Sequence, residues 1–136
     1  MDEALLAAYR STDYRVRLGG GGHASIRIDQ PLPASLVPTV KDHSWGFLTA
    51  WNPRSQPHTR AQNRQAQRRL LGALNELPAT RLINAGVGVG TDGWKESSLF
   101  VVGLDLGQLD ALARRFDQHG YVYGRGHGIA RLRLLP

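Results

Sequence analysis

The chain has 136 residues, a formal net charge of +6, 41% apolar residues and no cysteine. One domain with a hydrophobic core is expected at this length, and the composition excludes a disordered chain. The lack of cysteine excludes disulfides, thiolate catalysis and Cys-type zinc sites.

Arginine supplies 15 of the 17 basic residues, leaving only Lys41 and Lys95 as lysines. Such a bias suits a solvated basic surface, and it equally suits a face that grips phosphate or carboxylate. The opening MDEALLAAYR carries Asp2 and Glu3 where a secretory leader wants positive charge. No run approaches the roughly eighteen apolar residues that mark a membrane span. A cytoplasmic protein without membrane contact is expected.

Residues 2–10 read as a short helix with acids in its first turn. YRVRL (14–18) and ASIRID (24–29) alternate apolar and polar residues around the glycines 19–22, the pattern of a β-hairpin. The proline-rich stretch 30–44 reads as an irregular connection with room for one helical turn. A strand over 45–51 places Trp45, Phe47, Thr49 and Trp51 on one face and Gly46, Leu48 and Ala50 on the other. Both faces look buried, as in a central strand.

Residues 58–77 have Ala66, Leu70, Ala73, Leu74 and Leu77 at helical spacing, and Pro78 stops the helix. Strands follow over 81–89 and 97–104, joined by the turn TDGWKE. A helix capped by Asp105 runs over 105–119, and YVYG and IARLRLL close the chain as two short strands.

From residue 45 onward the order is β-α-β-β-α-β with one extra strand, the order of the split βαβ or ferredoxin-like arrangement. The expected architecture is α+β: an antiparallel sheet with two helices on one face, plus an N-terminal helix and β-hairpin. It forms a single domain over 1–136, with residues 1–44 leading into a core over 45–136.

TAWNP (49–53) ends the apolar strand SWGFLTAW on a tryptophan, an asparagine and a proline. Proline cannot donate to a ladder and pushes Asn52 toward an extended or turn geometry, from which Asn52 caps local backbone groups. Asn63 shares a helix face with Ala66, Leu70 and Leu74, so its amide points toward the core. Two roles are open to it: pinning the TAWNP loop to the helix, or lining a pocket with Asn52. In GWKES, Trp94 stands in an otherwise polar turn and Glu96 begins the next strand. An indole beside a carboxylate can cover a ligand and supply an acceptor or a base, or it can be a lid over the core with Glu96 paired to an arginine.

In a split βαβ sheet the end of the first strand lies beside the start of the third. Thr49, Trp51, Asn52, Asn63, Trp94, Glu96 and Ser97 would then gather at one end as candidate ligand-binding residues. TAWNP, Asn63, GWKES and the FDQ of Phe116, Asp117 and Gln118 together resemble a bacterial family known as domain of unknown function 3293. The resemblance runs from AYRSTDY to the end of the chain, with Asp117 standing where a glycine is expected. It implies a cytoplasmic bacterial domain and names no chemistry.

Residues 88–93 match G-x-G-x-x-G, but a strand follows where a dinucleotide fingerprint opens a helix. GGGGH lacks the Lys-Ser/Thr of a phosphate loop, no G-x-S-x-G is present, and the five histidines show no ligand spacing. No metal and no cofactor are expected.

Arg60, Arg64 and Arg68 form a stripe on the long helix, while Arg15, Arg17, Arg27, Arg131 and Arg133 point outward from strands. Were those strands neighbours, one sheet face would be basic and could hold nucleic-acid phosphates. Three functions therefore stand: a pocket for a small polar ligand, a nucleic-acid binder, and a protein-interaction module using a sheet edge.

Overall fold

The computed structural model describes residues 2–136. It is a mixed α/β structure of four helices and one seven-stranded antiparallel sheet. Helix α1 (Glu3–Ser11) starts at Asp2, whose carboxylate accepts from the Ala4 N–H at 2.9 Å. The hairpin β1 (Asp13–Arg17) and β2 (His23–Ile26) forms around the glycine loop as its alternation predicts. The proline-rich connection contains a 3-10 turn and one α turn, α2 (Val37–Val40). Then come β3 (Ser44–Leu48), α3 (Arg60–Glu76), β4 (Leu82–Val89), β5 (Lys95–Val102), α4 (Leu106–Arg115), β6 (Gly120–Arg125) and β7 (Arg131–Leu134).

The strand order is β2-β1-β4-β5-β3-β6-β7. The N-terminal hairpin therefore extends the sheet through β1 and β4, with Tyr14 opposite Gly88. The sheet curls until its two ends approach. Asp29 N–H donates to the Ala130 carbonyl at 2.8 Å, Ala130 N–H to Gln30 at 2.9 Å, and Leu32 N–H to Gly128 at 3.1 Å.

Period-two alternation on central strands sends side chains into two separate cores. Trp45, Phe47, Phe100, Val102 and Val122 fill the inside of the curl with Tyr14, Val16, Ile26, Leu36 and Val40. Leu48, Leu99 and Val101 face the other way, against Leu70 and Leu74 of α3 and Leu109, Leu112 and Ala113 of α4. Trp45 is fully buried and reaches across to Gly124, where a Cβ would lie 2.6 Å from its ring. Burial of this kind contributes about 1.5–3 kcal/mol per large apolar side chain.

Several boundaries differ from the sequence reading, each for a local reason. Strand β3 stops at Leu48, not Trp51, because side chains take the next amides. Ala50 N–H donates to Gln67 Oε1 and Trp51 N–H to Thr49 Oγ1, both at 3.0 Å. Helix α3 begins after a capping box of Thr59 and Gln62, two residues later than expected. Strand β5 starts at Lys95 and ends before Gly103, whose φ of 116° leaves the ladder. Helix α4 ends at Arg115, and the chain reverses through Asp117 at φ 54°.

One buried polar knot ties α4 to the C-terminal edge. Asp110 is 7% exposed and accepts from Arg133 Nη2 at 2.7 Å, Arg133 Nε at 3.0 Å and Tyr121 Oη at 2.7 Å. The Arg133 fork, aided by Tyr121, holds the Asp110 carboxyl down at about 2. A carboxyl depressed in the folded state adds stability that is complete above its unfolded value near 4 and is lost as pH falls through 2. Asp110→Asn is therefore expected to lower Tm at pH 7. Thermal melts from pH 7 to pH 2 should show the gap to wild type closing below about pH 4; a constant gap would refute this account of the knot.

Candidate functional site

The end of β3 is built by a chain of side-chain to backbone bonds. Thr49 Oγ1 donates to the Ser97 carbonyl on β5 at 2.7 Å and turns Trp51 by accepting its N–H. Asn52 then adopts φ 45°, ψ 67°, a left-handed conformation and not the extended or ordinary turn geometry expected before proline. Asparagine tolerates this region better than other non-glycine residues. Asn63 from the first turn of α3 holds it there: the Asn52 N–H donates to Asn63 Oδ1, and Asn63 Nδ2 donates to Asn52 Oδ1, both at 2.8 Å. Asn52 Oδ1 also accepts the His58 N–H at 3.0 Å.

A second tie comes from the segment after α4. Arg54 N–H donates to the Asp117 carbonyl at 2.7 Å, and the Gln118 amide donates to the Trp51 carbonyl at 3.3 Å. Asn52, Arg54, Ser55 and Asp117 all have positive φ; among the described residues only Asp29 and Lys41 share this outside glycine. Backbone in these regions costs energy that the surrounding bonds must offset, and such strain concentrates where a loop is held in one shape.

This loop forms one wall of a cavity of about 170 Å³ at the open end of the curled sheet. Tyr9 and Leu5 of α1 stand across from it. Tyr14 of β1 and Phe47 of β3 form the base, packed edge to face with ring centroids 5.2 Å apart. The Tyr14 hydroxyl donates to the Tyr9 carbonyl at 2.6 Å and so fastens α1 over the mouth. Glu96 and Ser98 of β5 share the face turned to the cavity, as their two-residue spacing requires, and Gln118, Tyr121 and Val122 close the far side.

Trp94 is 39% exposed at the rim. Its indole lies over Gly90, where any Cβ would collide with the ring. The β4–β5 turn closes through Gly90 N–H to the Trp94 carbonyl at 2.9 Å. That glycine thus lets the indole fold back toward the cavity rather than outward.

Glu96 is the one charged residue among those described around the cavity. No arginine, lysine or histidine of the described residues lies within 4.0 Å of its carboxylate. The expected alternative of an arginine partner for Glu96 is not what the fold provides. Burial without a counter-charge pushes its carboxyl up to about 7. Tyr9 is pushed up to about 12, chiefly by burial and then by the Glu96 charge. Tyr14 is raised as well, chiefly by burial, then by the neighbouring Tyr9 and least by Glu96.

The fold brings Thr49, Trp51, Asn52, Trp94 and Glu96 to one cavity. Asn63, 2% exposed, stands behind the loop and pins it. Ser97 turns to the opposite face, where a shallower groove runs beside Trp51, Arg64, Gln67 and Arg68. Tyr9, Thr12, Tyr14, Ser98, Gln118 and Tyr121 line the cavity without having been expected there. Ser98 was available from its spacing to Glu96; Tyr9 and Tyr14 lie far off in sequence and reach the site because the N-terminal elements join the curled sheet.

The strand arginines do not form one free basic face. Arg15 pairs with Asp13 at 2.8 Å, Arg27 approaches the same carboxylate at 4.0 Å, Arg131 pairs with Asp29 and Arg133 with Asp110. Their strands lie at opposite ends of the strand order, which the curl brings together beside Asp29, and among the described residues Arg17 makes no ion pair. Arg60, Arg64 and Arg68 remain exposed on α3.

Two stability measurements check this geometry. Asn63→Ala leaves the Asn52 amide groups without their partner and is expected to cost about 1–3 kcal/mol in denaturant unfolding. A loss below a few tenths would mean that the pair does not hold the loop. For Glu96 the folded pKa is raised, so its ionisation opposes folding, and stability is lost as pH rises from about 4.5 to about 7. Glu96→Gln should therefore be more stable than wild type at pH 8, by up to about 3 kcal/mol, with the difference shrinking toward pH 4. Equal stability at both pH values would contradict a carboxyl held out of water.

No helix among the described residues is long and apolar enough to cross a membrane. No curated protein and no solved structure matches the chain. One family model does, described as a protein of unknown function (DUF3293), over residues 48–120. That span runs from the last residue of β3 to the first of β6 and holds TAWNP, Asn63, GWKES and Gln118. It covers more than half of the 136 residues, and the chain belongs to the DUF3293 family.

Proposed function

We propose that the chain is a bacterial cytoplasmic domain that binds a small polar ligand in the cavity between α1 and the Thr49–Asn52 segment. The observation that carries this reading is Glu96: a carboxylate turned into an aromatic-walled cavity with no protein cation to meet it. A buried charge is normally paired, and an unpaired one in a cleft is a reason to look for an external partner. Cavity size limits that partner, since a site of about 150 Å³ holds a molecule such as benzene. Trp51 and Trp94 would be walls, and Thr49, Asn52, Glu96, Ser98 and Gln118 would supply hydrogen-bonding groups. Asn63 supports the site from behind, and Ser97 serves the β3–β5 contact through its carbonyl. Glu96 alone does not make a catalytic set, because no second acid, base or nucleophile is hydrogen-bonded to it among the described residues.

We read the scaffold as a split βαβ core. In support, β4-β5-β3-β6 follow that strand order, and α3 and α4 pack on the same side. Strands β1 and β2 widen it at one edge and β7 at the other. The nucleic-acid alternative is left mainly with Arg60, Arg64 and Arg68, because Arg15, Arg27, Arg131 and Arg133 are engaged with carboxylates. The interaction-module alternative loses free edge where the chain after β2 bonds to residues 128–130.

An amide NMR titration with pooled metabolites and nucleotides, and then with a mixed oligonucleotide, tests these readings at two salt concentrations. Salt-insensitive shifts at Trp51, Trp94 and Glu96 are expected from the metabolite pool, and Trp94→Ala should weaken the responsible compound about tenfold. Salt-sensitive shifts confined to the α3 arginines would move the function to phosphate binding and overturn the pocket.

A further inference from the structure

The charge balance around the cavity is opposite to that of the chain. Seventeen arginines and lysines are present, giving a net charge of +6, yet none of them borders the cavity among the described residues. Five aromatic residues do: Tyr9, Tyr14, Phe47, Trp51 and Trp94. Aromatic faces carry negative potential, attract organic cations within about 6 Å, and do so most strongly for tryptophan. Glu96, once ionised, adds negative charge on the same walls. The ionised carboxylate would repel an anionic ligand, and a neutral ligand would leave it unpaired.

We propose that the ligand of this pocket is a compact organic ammonium ion, held against the aromatic walls with Glu96 as its counter-charge. This deepens the small-ligand reading and rests on it. The ammonium replaces the missing protein cation, and the low polarity of the walls strengthens the pairing relative to water. A cation of choline size suits a cavity of about 170 Å³.

The same arrangement makes binding depend on pH. Glu96 is faced by Tyr9 from α1 and Tyr14 from β1. Both phenols stay neutral near pH 7, because burial raises each one. Glu96 alone then titrates around neutrality at the site, and the cation prefers its ionised form. Affinity should rise from pH 6 to pH 8, with a proton released on binding.

The test compares choline with 3,3-dimethylbutan-1-ol, which has the same shape without the charge, and adds ethylammonium, acetate and inorganic phosphate as further probes. Amide shifts and tryptophan fluorescence are followed at pH 6 and pH 8. Choline or ethylammonium is expected to shift Trp51, Trp94 and Glu96, and choline to bind at least about tenfold more tightly than the alcohol. Glu96→Gln should remove most of that advantage, bringing choline close to the alcohol; the comparison of probes on the wild-type protein needs no variant to fold. Equal binding of choline and the alcohol, or preferential binding of acetate or phosphate at the same residues, would overturn the cation while leaving a ligand pocket in place. No shift at these residues with any probe would overturn both readings.

Discussion

Asn52 and Asn63 exchange hydrogen bonds across the start of α3, and the geometry of the site follows from that exchange. Asn63 is nearly inaccessible, so its amide cannot turn to water for partners, and leaving it unpaired would be expensive. The left-handed Asn52 satisfies both ends at once. With Asn52 fixed, the carbonyl of Trp51 points to Gln118, and the indole sits between the cavity and the α3 groove. Remove the exchange and three further consequences fail together: the loop path, the contact with Asp117 and the wall of the cavity. The strain at Asn52, Arg54, Ser55 and Asp117 is then intelligible as strain held by several bonds.

A second constraint is the curl of the sheet. A flat sheet of seven strands would leave the face of Phe47, Phe100 and Val122 open to water, with only the short α2 region to cover it. Curling lets β1 and β2 supply that cover from the same sheet, through Tyr14, Val16 and Ile26. The curl also leaves an open end, because α1 spans it without burying any of its own residues fully. The cavity is therefore a by-product of how the inner core is closed. Its polarity is not a by-product. Ser98 and Glu96 continue the line of inward positions that Phe100 and Val102 occupy deeper in β5, and a strand needing only burial would place apolar residues there.

The sequence made the elements legible because their signals are local. Alternation in YRVRL, the helical spacing from Ala66 to Leu77 and the caps at Thr59 and Asp105 each depend on residues within one or two turns. The direction of Asn63 was legible for the same reason, and its burial followed from its neighbours Ala66 and Leu70. The exit from β3 was not, because Gln67 intercepts the Ala50 amide from seventeen residues away. Left-handed Asn52 was hidden by the rule for residues before proline, which a buried amide partner here overrules. Tyr9 and Tyr14 could not be assigned to the site, since nothing local says that the first helix returns to the mouth of a curled sheet. The arginine pattern was legible only in part. Outward alternation is local and correct, but which carboxylate each arginine meets is settled by strand order, and Asp13, Asp29 and Asp110 absorb four of them.

The family match and the cavity do not coincide, and their difference is informative. Residues 48–120 contribute the indoles, the carboxylate and the amides. Tyr9, Tyr14 and Phe47 lie before that segment and contribute ring surface and the hydrogen bond that fastens α1. The cavity's charge and most of its polar groups thus lie within the matched segment, while the rings outside it limit how much water remains around Glu96. Burial is what raises the carboxyl and the two phenols, so the N-terminal part governs the electrostatics of a group it does not carry. A change at Tyr9 would act on Glu96 through solvent before it acted on any ligand, which makes α1 part of the site's chemistry and not only its cover.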